Sequence, residues 1–246
     1  MALGVRIAFS MVIMMILLNG GAFARSSGNR PWEDPSVPII IDPYAENDIN
    51  WDKAVTDKRL MAVIHKASEG NEADPKFVER AAEAKKRGLL WGAYHLGRPG
   101  DPIKQAKKFL DLANATGAKF LAIDIEADDP SKFMSVQDAA KFIEYVHSET
   151  RRYPAIYVNY SVYESISKKY DASSVFAKAP LWVARFKPEL GMDNHKLWSN
   201  YTLWQFSSEI NCAPSKTCFY RVPGTATDMD VNVFLGDANA LRALFE

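Results

Sequence analysis

In a chain of 246 residues, 30 Lys and Arg balance 30 Asp and Glu, which excludes the clustered basic excess of a nucleic-acid-binding protein. The length suits one domain, since α/β barrels commonly run about 200 to 250 residues as a single unit. Aromatic residues make up 12%, with 6 Trp and 10 Tyr, enough to place some rings on a binding surface as well as in a core.

The first residues carry Arg6, an apolar run from Ile7 to Leu18 and the small-x-small triplet Ala22-Phe23-Ala24. That is the layout of a secretory signal peptide, so residues 1–24 are expected to be removed and the chain to be secreted or periplasmic. The run falls short of the roughly 20 residues of a spanning helix, which makes a retained anchor the weaker reading; no later segment is long and apolar enough to span. Residues 25–38 are polar and Pro-rich and read as an irregular lead-in to a catalytic domain over 39–246.

Eight short apolar runs then follow, at 37–42, 60–66, 89–95, 119–125, 154–159, 180–184, 201–206 and 228–234, each with the length and composition of a strand. Helical patterns separate several of them. The segment 74–88 opens with Asp74-Pro75, a capping residue and an N1 proline, and stops at Gly88; 101–117 repeats that layout and stops at Gly117. The segment 135–154 opens with Ser135 as a cap, and 161–170 and 236–245 read as shorter helices.

Alternating strands and helices imply parallel pairing through right-handed crossovers, and eight strands suggest a barrel. Helices thin out after Tyr170, so an irregular barrel is expected; an open doubly wound sheet is the alternative. No Gly-rich phosphate loop follows any strand.

A parallel barrel places its active site at the C-terminal ends of the strands. Polar residues end several runs there: Asp42, His65 with Lys66, His95, Asp124 with Glu126, and Asn159. In "KFLAIDIE" strand alternation puts Phe120, Ala122, Asp124 and Glu126 on one face, with the two acidic Cα atoms roughly 6.6 Å apart. Like charges at that range raise one pKa and let one group act as acid while the other is ionised, which is what glycosidic cleavage requires. A calcium site or a solvated strand end is the competing reading of "DIEADD", although the ligand spacing of an EF-hand is missing. His65 and His95 read as satisfied structural histidines, no metal or cofactor is expected, and His147 and His195 are given no role. Cys212 and Cys218, the only cysteines, are expected to form a disulfide in an exported chain, worth roughly 2.4 kcal/mol for so short a ring.

From Ile39 to Phe234 the chain resembles the lysozymes of glycoside hydrolase family 25, the Chalaropsis-type muramidases. The resemblance is carried, in the family's order, by "IIDPY…INW", "IHKASEG" with "DPKF", "GLLWGAYH", "LAIDIE", "YPAIYVN", "PLWVARF", "YTLWQF" and "MDVNVF". It implies a flattened, irregular TIM-like (β/α) barrel with eight strands and fewer helices, and hydrolysis of the β-1,4 bond between N-acetylmuramic acid and N-acetylglucosamine in peptidoglycan. Carried over by position, Glu126 matches the proton donor, Asp124 its partner carboxylate, and Asp42 and Asp230 two further acids of the pocket. Tyr94, Tyr157, Trp182, Trp204 and Gln205 match positions that present rings and an amide to sugar, and Lys66 is expected to hydrogen-bond in the pocket or offset its acids. The first loop, "DPYAENDINW", departs from the family pattern of a serine and then a glutamine, so Glu46 or Asn47 is expected to substitute there. That departure also keeps open a non-catalytic glycan-binding role, and a hydrolase of another N-acetylated glycan such as chitin is a third reading. A catalytic domain acting as a monomer on peptidoglycan, without a nucleic-acid partner, is the expectation carried forward.

Overall fold

A computed structural model describes residues 30–127, 129–192, 197–212 and 218–246. The signal-peptide reading of 1–24, the start of the lead-in, Asp128 and His195 lie outside the described residues.

The strands are β1 (Ile39–Ile41), β2 (Leu60–Glu69), β3 (Glu72–Ala73), β4 (Leu90–Leu96), β5 (Phe120–Ile125), β6 (Ala155–Asn159), β7 (Leu181–Ala184), β8 (Leu203–Ser207) and β9 (Val231–Phe234). The helices are α1 (Trp51–Ala54), α2 (Phe77–Lys86), α3 (Pro102–Thr116), α4 (Val136–Thr150), α5 (Tyr160–Lys169), α6 (Glu209–Cys212) and α7 (Ala238–Leu244). Each of the eight anticipated runs contains a strand. The strand that pattern reading does not reveal is β3, a two-residue partner of the end of β2.

The sheet runs β1-β9-β8-β7-β6-β5-β4-β2-β3, and pairing of β1 with β2 closes eight of these strands into a barrel. Pairing is parallel from β1 through β2, β4, β5, β6 and β7 to β8, but β9 is antiparallel to both of its neighbours. Helices α2 to α5 carry the chain back between parallel strands; among the described residues between β8 and β9 the only helix is the four-residue α6, and the chain re-enters the barrel from the mouth. The start of β9 therefore meets the C-terminal ends of the other strands. After Tyr170 the described residues hold only the short α6 and α7 as α-helices, in keeping with the expected thinning.

Side chains alternate between two packed layers. Ile40, Ile64, Phe120, Ala122, Trp182 and Leu203 fill the barrel, and α7 plugs its lower end with Leu241 and Phe245, the latter stacked on Phe120 at 5.4 Å. Val63, Ile123, Val158 and Val183 face outward under the helices, against residues such as Phe77 and Phe142. Gly92 belongs to the inner layer: a Cβ there would meet Phe120 Cβ at 3.0 Å and Ile64 Cγ1 at 3.2 Å.

Local signals act mostly as read. Asp101 accepts from the amides of Ile103 and Lys104, and Gly117 ends α3 at φ 60°. Ser135 caps α4 through the amide of Asp138. The reading at Asp74-Pro75 needs correction, because α2 begins at Phe77 and Asp74 instead accepts from the amides of Lys76 (3.0 Å) and Ala45 (2.9 Å). The carboxylate fastens the loop after β1 to the base of α2.

The lead-in is anchored to the core by Trp32 and Val37, while residues 33–36 between them are exposed. The Trp32 ring stacks on Phe206 at 4.5 Å and Phe219 at 4.9 Å and meets Trp204 edge-on at 5.3 Å. The disulfide Cys212–Cys218 is formed. No helix among the described residues is long and apolar enough to cross a membrane.

Candidate active site

β5 delivers two carboxylates to the mouth of the barrel. Phe120 and Ala122 point inward, so Asp124 does too, and Glu126 follows one alternation later at the rim. Asp42 follows the end of β1, and Asp230 precedes β9, whose reversed direction brings it to the same end.

The environments of the four acids differ. Asp124 is buried and its Oδ1 has no hydrogen-bond partner. Burial, then the charge of Glu126, raises its pKa well above the ordinary carboxylate value, against the opposing charges of Lys66 and Arg98. Glu126 is exposed at the rim, yet enough protein surrounds it to raise its pKa as well; loss of solvent is the main cause, Arg98 and Lys66 oppose it and Glu69 adds to it. Asp230 is pushed up to about 8 by burial and then by Glu209, Glu126 and Asp228.

Asp42 sits in a satisfied buried network. Gln205 Nε2 donates to its Oδ2 at 2.7 Å and Asn232 Nδ2 to its Oδ1 at 2.5 Å. Each amide is itself oriented, since Tyr157 OH donates to Gln205 Oε1 at 2.8 Å and Trp182 Nε1 donates to Asn232 Oδ1 at 2.7 Å. Burial and then Asp230 raise the pKa of Asp42 well above normal, and the two amide hydrogen bonds oppose the rise. Burial also raises Tyr94 and Tyr157 well above the usual phenol value, so both present neutral hydroxyls.

The cleft over these groups has a volume of about 310 Å³, and Tyr44, Glu126, Tyr157, Gln205, Asp228 and Asp230 are among the residues that line it. A second hollow of about 510 Å³ shares Tyr44 with it and is lined by Glu46, Lys66, Glu69 and Arg98 among others. Glu69 pairs with Lys66 at 3.1 Å and Arg98 at 2.6 Å, and the Lys66 ammonium lies 4.7 Å from the Tyr44 ring centroid. Lys66 is thus held in an ion pair beside the acids. Together the hollows make an elongated groove with acids at one end and a compensated ion cluster at the other.

The structure brings together Asp42, Asp124, Glu126, Asp230, Tyr157 and Gln205, with Lys66 alongside. Tyr94 is partly buried near them and meets Trp182 edge-on at 6.2 Å. Trp182 is enclosed beneath the site, where it orients Asn232 and meets Tyr157 edge-on at 5.0 Å. Trp204 is not in the cleft. Alternation along β8 turns it outward into the layer under the helices, where its Nε1 donates to Arg185 O at 2.8 Å and its ring meets Trp32 and Tyr201.

Asn47 is also a structural residue. It is buried, accepts from the Tyr44 amide at 2.9 Å and donates to Asp228 Oδ2 at 2.9 Å, while Glu46 lines the second hollow. Asn159 caps α5 through the Val162 amide and donates to the main-chain oxygen of Glu126, which fixes the backbone at the acid.

His65 and His95 point under the helices. His65 donates through Nδ1 to Lys66 O and accepts from Arg80 at Nε2; His95 accepts from Ser68 at Nδ1 and donates through Nε2 to Gln105. Burial lowers both to about 4, so both are neutral and serve packing.

Sequence reasoning passed over Glu209 and Tyr44. Alternation in "TDMDVNVF" puts Asp228, Asp230 and Asn232 on one face, and the structure adds the role of Asn232, which bridges Trp182 and Asp42. Glu209 had no periodic signal, because it reaches the cleft on the short α6.

Residues 41–214 match glycosyl hydrolases family 25. Lysozyme M1 of Streptomyces globisporus is 28% identical over 245 residues, covering 92% of this chain and 76% of that protein. The bacterial lysozyme of Streptomyces coelicolor has a similar structure, with a TM-score of 0.68 at 25% identity over 86% of this chain and 98% of that one. A family GH25 lysozyme from Aspergillus fumigatus has the same fold, with a TM-score of 0.67 at 24% identity over 85% of this chain and 99% of that one.

Proposed function

The chain belongs to glycosyl hydrolases family 25, and from that membership we propose that this lysozyme cleaves the β-1,4 bond between N-acetylmuramic acid and N-acetylglucosamine, with Glu126 as general acid and base and Asp124 as its partner. The observation that carries the reading is the end of β5, where Asp124 lies buried against the cleft acids Glu126 and Asp230 with an unpaired Oδ1, and Glu126 stands at the rim one alternation on.

An acid that must deliver a proton near neutral pH needs a raised pKa, and the direction at Glu126 supports that role. Protonated Glu126 gives its proton to the leaving glycosidic oxygen. Asp124, buried and lacking a donor, suits a group that accepts the N–H of the substrate's acetamido and holds its carbonyl oxygen toward the anomeric carbon. That oxygen closes a ring on the anomeric carbon as the glycosidic bond breaks. Water, deprotonated by Glu126, then opens the ring. Substrate assistance is favoured over direct attack by Asp124, because burial works against a permanently ionised nucleophile.

Asp230 lines the cleft and Asp42 is buried beside it, so the two interact as a pair at the position of the reacting sugar. Gln205 and Asn232 act as positioning residues for Asp42, and Gln205 orients the Tyr157 hydroxyl. Residues 1–24 act as an export signal and residues 39–246 as the catalytic domain, so the protein works on peptidoglycan outside the membrane.

Muropeptide release from purified peptidoglycan, with identification of the new reducing end, tests the reading. Glu126→Gln is expected to lose roughly 10²- to 10⁴-fold in rate. Equal rates in both proteins would remove Glu126 from the mechanism. Retention of peptidoglycan without new ends would indicate a binding protein, and release from chitin oligomers instead would change the substrate.

A further inference from the structure

At the end of the barrel opposite the cleft, the N-terminal ends of β5, β6 and β7 and the plug α7 enclose a cavity of about 240 Å³. Its floor includes Phe120 and Leu244, and its rim carries Lys119, Arg152 and Lys178 around Tyr153, with no acidic residue in the lining. None of the three cations forms an ion pair among the described residues.

Two of them are held in place without being neutralised. Arg152 Nη2 donates to the main-chain oxygen of Leu244 at 2.9 Å, which leaves Nε and Nη1 without a protein hydrogen bond. Lys178 Nζ lies 5.8 Å from the ring centroid of Tyr153, which is itself stacked on His147 at 3.8 Å. Pinned cations around an apolar floor, in a chain whose formal charges cancel, are a local excess with no internal counterpart.

The cleft is lined by acidic side chains instead, Glu126, Glu209, Asp228 and Asp230, with no lysine or arginine among them. β5 alone spans roughly 17 Å, so the two ends lie further apart than the Debye length of about 8 Å at physiological ionic strength and neither cancels the other. We propose that the cavity at the lower end of the barrel is a second binding site, which takes an anionic group, a carboxylate or a phosphate, carried on the wall polymer. The wall-polymer part rests on the peptidoglycan reading above; the anion site does not. An acidic cleft gains nothing from long-range attraction to an anionic polymer. A basic site on the far end supplies that attraction and leaves the cleft free to take a strand.

Amide chemical shifts of the full chain, followed during titration with inorganic phosphate and separately with acetyl-alanyl-alanine, test the site directly. Shifts clustered at 119–121, 152–155 and 178–180 in either titration are expected, and the ligand that gives them identifies phosphate or carboxylate as the source. In Lys119→Ser/Arg152→Ser/Lys178→Ser the affinity should fall roughly eightfold, about twofold for each exposed charge. Lys119→Arg/Lys178→Arg should retain it, which separates charge from folding. Absent or scattered shifts overturn the proposal whatever the protein does to peptidoglycan.

The role on the wall is read with the triple substitution placed in a Glu126→Gln background, by retention on insoluble peptidoglycan. Retention should fall by a similar factor, while Lys104→Ser/Lys107→Ser/Lys108→Ser on α3 leaves it unchanged. An equal fall in the α3 set would make the effect one of general charge and overturn the site. In the otherwise wild-type protein, the triple variant should cleave short soluble glycans at the normal rate. A wild type that cleaves nothing would instead overturn the reading of the cleft.

Discussion

Asp230→Asn separates the stability cost of the acid cluster from its chemical use. The Asp230 carboxyl is pushed up to about 8, first by burial and then by Glu209, Glu126 and Asp228, whereas an aspartate in an unfolded chain titrates near 3.9. A folded-state value above the unfolded one contributes stability that is fully present below about pH 4 and is lost as the pH rises toward about 8. Over that window the unfolded chain has released a proton that the folded chain still holds. At pH 7 the ceiling on the loss is about 4 kcal/mol, from 1.36 kcal/mol per pKa unit. Solvent reaching the partly exposed carboxyl brings this to roughly 2 kcal/mol. Asparagine has the shape of the neutral acid and releases no proton, so the substitution should recover that amount. For a domain of this size the gain is about 4 to 8 °C in Tm. Thermal melts of both proteins at about pH 7.5 and pH 4.5 are the assay, with muropeptide release measured in parallel. The variant should melt higher at the upper pH, match the wild type within about 2 °C at the lower one, and release less product. Other groups titrate in this range too, but they are common to both proteins and drop out of the difference. A Tm difference independent of pH, or a variant that melts lower at pH 7.5, would refute the reasoning.

Asn232→Leu leaves Trp182 Nε1 buried without an acceptor and removes a donor from Asp42, so unfolding free energy in urea should fall by about 2 to 4 kcal/mol; a loss under about 1 kcal/mol would show that the network is not structural. Trp204→Phe removes the hydrogen bond to Arg185 O and some packing against Trp32. It should cost about 1 to 3 kcal/mol in the same measurement and leave KM for soluble glycans unchanged, and a raised KM would place Trp204 in the cleft after all. Burial holds the His65 and His95 rings neutral to about pH 4. Their ring resonances should stay flat from about pH 8 down to pH 5, and an inflection near 6.5 in either would contradict the hydrogen-bonded packing described for it.

The strands and the acids at their ends were legible because a barrel interior enforces alternation, and alternation is written in adjacent residues. "KFLAIDIE" carried Phe120, Ala122, Asp124 and Glu126 to one face with no information beyond the pattern. The same rule, applied to "YTLWQF", separates Trp204 from Gln205, and the resemblance alone had grouped them. Asp74-Pro75 misled for a different reason: a capping residue and a proline mark a turn as readily as a helix start, and the ligand that decided between them was the Ala45 amide, distant in sequence. The antiparallel direction of β9 was not written locally at all. It shows only in the long-range pairing of β9 with β1 and β8.

That reversal also explains how four acids share one mouth at tolerable cost. Asp42 and Asp230 come from opposite ends of the chain and meet only where β1, β9 and β2 close the barrel. Asp42 receives its two amide donors in the same event, from Gln205 on β8 and Asn232 on β9. Before closure each carboxylate is solvated and pays nothing. After closure the amides offset part of the burial at Asp42, while Asp124 Oδ1 is left without a protein hydrogen bond. Part of the barrel's uncompensated electrostatic cost therefore falls at the atom proposed to meet the substrate. Filling that atom's empty position should stabilise the fold, so an N-acetylated, non-hydrolysable glycan should raise Tm in the wild type by more than in Asp124→Asn, whose amide retains the shape but weakens the acceptor. Equal shifts in the two proteins would mean that the acetamido group is held elsewhere in the groove.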